Sequence, residues 1–184
     1  TLAGPASYSG RTFINGGTLT FACDRLQSLV GEIDGPGAWA KNGTNLINVL
    51  GANTYTWPTY INSGTVRVDQ DNALGTADAG TYVNGQTGGT LDLGCMPDVG
   101  GSRARLALRL GSERITIQGA GYQGQGAIVN SSTGEQYNAV SLLELAGDAT
   151  VGGIGRWDLR NSPATFTMND YTLTAEELAE LRAA

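Results

Sequence analysis

The chain has no histidine, a single lysine (Lys41) and only two cysteines, Cys23 and Cys95, among its 184 residues. Without histidine, a Ser-His-Asp triad, a Cys-His pair and the common zinc sites are excluded. Eleven Lys and Arg residues stand against seventeen Asp and Glu, a formal charge of −6 with a pI near 4.5. That balance lacks the basic footprint needed by a partner such as nucleic acid or an anionic membrane surface. No apolar run approaches the roughly 20 residues that span a bilayer. No cofactor is expected. The sequence begins at Thr1 without Met or a signal-like segment, which reads as a mature or excised piece of something larger.

What the chain does have is 28 glycines and many short alternating runs. TLTF at 18–21, TVRV at 65–68, TLDL at 90–93, RLALRL at 105–110, RITI at 114–117, LLEL at 142–145, RWDLR at 156–160 and TFTM at 165–168 each put apolar side chains on one face. Gly, Asn, Asp, Ser and Pro clusters separate them, which is turn chemistry. Leu19, Val66, Leu91, Ile115, Leu142 and Phe166, one per run, are spaced by 47, 25, 24, 27 and 24 residues. Strands of a sandwich recur about every 8–12 residues, so this longer period fits one rung of a coil, with strands pairing in parallel above and below. The motif Thr-x-Ile-Asn-x-Gly-Thr occurs at 12–18 and again at 59–65. Its two Gly-Thr dipeptides are expected at the same corner, two rungs apart, and Leu19, Val66, Leu91, Ile117, Leu142 and Phe166 in one internal ladder. The expected fold is all-β, a parallel β-helix or β-solenoid of about seven rungs over 1–173, closed by a short C-terminal helix over 174–184.

GANTYT at 51–56, then Thr59, Ile61, Asn62, Gly64, Thr65, NALG at 72–75 and GGTLDL at 88–93 follow in the order of a known repeat. The segment resembles the autotransporter-associated β-strand repeat, or passenger-associated repeat, of large secreted bacterial surface proteins. Residues 1–22 look like a degraded second copy, and the likeness is weakest over 23–48. Trp57-Pro58 departs from the usual Gly-Gly. The resemblance implies a right-handed β-helix exported to the cell surface, a structural or adhesive scaffold element, and does not imply a catalytic site.

Several residues invite a functional reading beside a plainer one. Asp69, Gln70, Asp71, Asn72 and Asp78 supply oxygens of the kind that bind calcium, but without EF-hand spacing they read better as a solvated turn. Asp92, Asp98, Glu144 and Asp158 are the carboxylates to inspect for glycoside hydrolysis. Three of them, Asp92, Glu144 and Asp158, fall at outward positions of alternating runs, and Lys41 reads as a loop residue. Arg103, Arg105, Arg109 and Arg114 are the only basic cluster, with Leu106, Leu108 and Leu110 turned the other way. Arg105 and Arg109, together with exposed Trp57 and Tyr60 and also Trp39, are candidates for a glycan-binding surface. Asn42 and Asn130 match the N-glycosylation pattern, which by chance is common. The alternatives to a scaffold are therefore a carbohydrate-binding module and a polysaccharide-degrading enzyme.

The tail TLTAEELAELRAA starts like a capping box, Thr174 followed by Glu177, with Leu178 and Leu181 on one side. It reads as a lid over the last rung or a docking helix. Cys23 and Cys95, 72 residues or three rungs apart, should stay unbridged, since their separation of about 14 Å exceeds the roughly 7 Å limit of a disulfide. An open first rung is expected to recruit a neighbour, either another copy or further rungs of a longer chain.

Overall fold

The structure, a computed structural model, describes residues 1–4, 9–94, 108–160 and 163–175. Its strands pair in parallel and wind into a β-solenoid with three faces, in the recurring order C, A, B. Face A stacks Thr18–Phe21, Ala38–Lys41, Thr59–Ile61, Thr81–Gly85, Arg114–Gly119, the first part of Leu142–Gly153, and Thr165–Thr167. Face B stacks Gln27–Leu29, Leu46–Val49, Gly64–Val68, Gly89–Asp92, Ile128–Asn130, the second part of Leu142–Gly153, and Leu173–Ala175. Strand Leu142–Gly153 rounds a corner, so faces A and B form one thirteen-stranded sheet. Face C is thinner: Thr12–Phe13 pairs Ile33–Asp34, Gln136–Val140 pairs Trp157–Leu159, and single backbone bonds such as Thr54 N to Ile33 O and Thr76 N to Tyr55 O fill the middle. Among the described residues about six turns connect seven levels.

Alternation makes the strands, because in a coil this narrow every second side chain points into the stack and must be apolar or fully paired. On face A the inward ladder runs Leu19, Trp39, Thr59, Thr81, Ile115, Leu143 and Phe166. On face B it runs Gln27, Ile47, Val66, Leu91, Ile128, Val151 and Ala175. The single ladder expected from spacing is therefore two. Val66 and Leu91 do stack on each other, whereas Leu19, Ile117, Leu142 and Phe166 belong to face A. Leu142 is only half-buried, its core neighbour being Leu143.

The echoed motif is corrected in the same way. Thr12–Phe13 lies on face C and Gly17-Thr18 opens face A, but Thr59–Ile61 lies on face A and Gly64-Thr65 opens face B. Segment 23–48, where the repeat pattern is weakest, supplies the missing rungs through Trp39 and Ile47. Turn length is not constant: from Leu19 to Phe166 successive ladder residues are 20, 20, 22, 34, 28 and 23 positions apart.

The corners use polar residues as backbone substitutes. Buried Asn53, from the GANTYT motif, accepts from Ile33 N at 2.8 Å and donates to Ala73 O at 2.6 Å, tying three successive turns where the ladder lapses. Lys41, far from being in a loop, occupies an inward position between Phe21 and Ile61 and is fully buried. Its ammonium donates to the carbonyls of Gly43 and Ser63 at the A-to-B corner. Gly64 at this corner has φ 72°, and a Cβ there would collide with the carbonyl oxygens of Gly43 and Asn45. Cys23 is buried and unbridged, and Cys95 lies outside the described residues.

Candidate functional site

Tyr60 occupies an outward position on face A, half-buried, directly under Tyr82 of the next turn. Their rings stack with centroids 5.6 Å apart and planes 23° from parallel. Two positions along the same strands a row of amides runs beside them: Asn62 donates to Asn42 at 2.8 Å, and Gln118 donates to Asn84 at 3.1 Å. A groove of about 190 Å³ opens here, lined by Tyr60, Asn62, Tyr82, Asn84, Thr116 and Gln118 together with Val83, Ile117 and Ala146. Trp57 is exposed at the corner before Tyr60 but is not part of this lining. Trp39 is not a surface aromatic at all: it is 2% exposed in the core against Phe21. Tyr82 is not among the aromatics singled out from the sequence, although TYVNG at 81–85 repeats TYINS at 59–63 and carries the signal.

A second depression, of about 320 Å³, lies at the C-to-A corner among Asn53, Asp71, Asn72, Thr76, Arg109 and Glu113. Glu113 is 4% exposed, accepts from the Thr81 hydroxyl at 2.7 Å, and its second oxygen is buried without a partner. Burial pushes its carboxyl up to about 7, with the Thr81 bond partly opposing that rise. Nearby Tyr55 is buried too; its hydroxyl donates to Thr59, which donates on to Leu74 O at 3.1 Å, and burial raises its pKa above the ordinary 10. Arg109 is exposed as expected, between inward Leu108 and Leu110, and its backbone N–H binds Asp71 at 2.9 Å. This corner can hold a proton near neutral pH, but its hydrogen bonds are mostly internal.

Two of the other carboxylates singled out keep the expected outward register, Asp92 next to inward Leu91 and Asp158 between core residues Trp157 and Leu159, but they are buried rather than solvated. Asp92 is 1% exposed, paired with Arg67 at 2.8 Å and bonded by Ser131 and Gly94 N. Asp158 is fully buried between Arg156 and Arg160, whose guanidiniums both lie 5.1 Å from the Tyr137 ring. Both carboxylates are saturated by cations and donors, so they hold the coil together. Glu144 does face outward, 3.9 Å from Arg114. Asp78 accepts from Thr76, and 71–74 form the expected turn. Asn130 is buried, bonding the carbonyls of Gly134 and Arg156, while Asn42 is exposed. Thr174, expected to cap a helix, instead sits in strand Leu173–Ala175 opposite Thr150. Arg103, Arg105 and Asp98 lie outside the described residues, as do Glu177, Leu178 and Leu181.

No family model, no curated protein and no solved structure matches this chain.

Proposed function

We propose that the chain is a structural segment of an extended surface solenoid, and that its working property is to stack end to end with further rungs. The observation that carries this reading is where, among the described residues, the core is least covered. In the middle turns the ladder side chains are buried, while the partly buried apolar residues packed against the core are, among the described residues, Leu2 and Leu19 at one end and Phe166 and Leu173 at the other. The exposed large apolar side chains follow the same division: Phe13, Leu26 and Val30 near the first level, Ile154, Met168 and Tyr171 near the last. Among the described residues only Trp57 and Tyr82 lie between them. Terminal rungs of a solenoid need either a polar cap or another rung, because their ladder groups and apolar interior are otherwise wet. A copy stacked head to tail continues the same parallel ladders. The repeat likeness of 51–93 supports the cell-surface setting and a non-catalytic role.

Sedimentation from micromolar to millimolar concentration tests the stacking. Mass should grow with concentration, and Met168→Lys with Tyr171→Lys should suppress that growth while leaving the circular dichroism unchanged. A monomer at every concentration, with end ladders as protected from hydrogen exchange as the middle ones, would overturn the reading.

A further inference from the structure

The outward row of face A changes character abruptly after its second aromatic. It reads Tyr60, Tyr82, Thr116, Glu144 and Thr167 on successive turns. Tyr60 covers one side of the Tyr82 ring, but the next position holds the much smaller Thr116, and Ala146 lies beyond Gln118. The stack therefore ends with Tyr82, a residue still 42% exposed, bordering a groove where a third ring would have continued it. Aromatic faces attract the C–H bonds of a flat apolar surface, and tyrosine joins that surface to polar surroundings.

The groove's other walls narrow the ligand class. None of its described lining residues is charged, and the chain as a whole is acidic, so an anionic polymer gains nothing there. Asn62, Asn84 and Gln118 use part of each amide on a neighbouring amide, which fixes their orientation and leaves both donor and acceptor groups at the rim. A row of oriented amides beside an open ring face suits a ring with one apolar face and hydroxyls at its edge. The volume, below the roughly 300 Å³ of a drug-sized pocket, has room for one such ring with its neighbours running along the surface.

We propose that this groove binds a neutral glycan, seating one pyranose ring on Tyr82 with its hydroxyls on Asn84 and Gln118. The site is on the flank of the coil, so it is independent of stacking at the ends. Calorimetric titration of the whole chain with cellohexaose, chitohexaose and mannohexaose, with polygalacturonate as the acidic comparison, tests it. Saturable binding of at least one neutral oligosaccharide is expected, weakened about tenfold or more by Tyr82→Ala and kept by Tyr82→Trp. Gln118→Ala should weaken it severalfold. Unchanged thermal unfolding of Tyr82→Ala would show that the loss is at the site. Absence of binding to all three neutral probes, a preference for polygalacturonate, or affinity untouched by Tyr82→Ala would each overturn the proposal.

Discussion

Replacing Glu113 by glutamine should remove a pH dependence of stability that wild type carries into the neutral range. Glu113 keeps its proton in the folded coil up to about pH 7, against an ordinary value near 4.5, because an ionised carboxylate there has one oxygen bonded by Thr81 and one buried without a donor. The folded-state value is raised, so this group's contribution is fully present below pH 4.5. As pH rises from 4.5 to 7 the unfolded chain releases its proton while the folded chain retains it, and stability falls until both are ionised. At about 1.4 kcal/mol per pH unit, the loss is about 3 kcal/mol. The charges that face the site, Asp71 and Arg109 across the depression and Arg114 next along the chain, are present in both proteins and cancel in the comparison. The glutamine side chain of the Glu113→Gln variant leaves a buried amide donor unpaired, a cost of about 1–3 kcal/mol, but that cost does not vary with pH. Urea unfolding at closely spaced pH values from 4 to 8.5 should therefore show the two stability curves converging, or crossing, as pH rises. Parallel curves would refute the reasoning, since a carboxyl that ionises normally in the folded state has no linkage to lose.

Lys41 gives the opposite window: burial lowers its ammonium from 10.5 to about 8, so wild type should gain stability as pH rises from 8 to 10.5, and Lys41→Met should abolish that gain in the same unfolding series. Asn53→Ala strands Ile33 N and Ala73 O inside the coil, and a loss of about 3 kcal/mol is expected from the denaturation midpoint. Gly64→Ala forces a side chain into a left-handed corner already filled by two carbonyls and should cost more than about 2 kcal/mol by the same measure.

The all-β character and the parallel coil were legible because alternation with a period of two, interrupted by Gly and Asn at long, repeated spacing, has few other solutions. TVRV and TLDL, on which that spacing rested, are true ladder neighbours. Assigning each strand to a face was beyond the sequence. Faces A and B carry the same apolar alternation, so the two copies of Thr-x-Ile-Asn-x-Gly-Thr look equivalent although one spans C to A and the other A to B. Trp39 and Lys41 were misplaced for a related reason: AWAK has no alternation, and its burial comes from the turns above and below it. The charge of Asp92 looked solvated because Arg67, which neutralises it, is brought in from a neighbouring turn by stacking. Arg156 and Arg160 stand two positions either side of Asp158 in RWDLR, so that pairing was legible in the sequence, and only the Tyr137 ring they share comes from the neighbouring turn. Tyr60 could be named from the sequence as a surface aromatic, but its pairing with Tyr82 depends on strand register, and the open ring face depends on which residue follows one turn later. Local pattern thus determined which segments are strands and that they coil. Which side chains meet was decided by the unequal turn lengths, 20 residues in some and 34 in another, which only the closed stack of backbone hydrogen bonds sets.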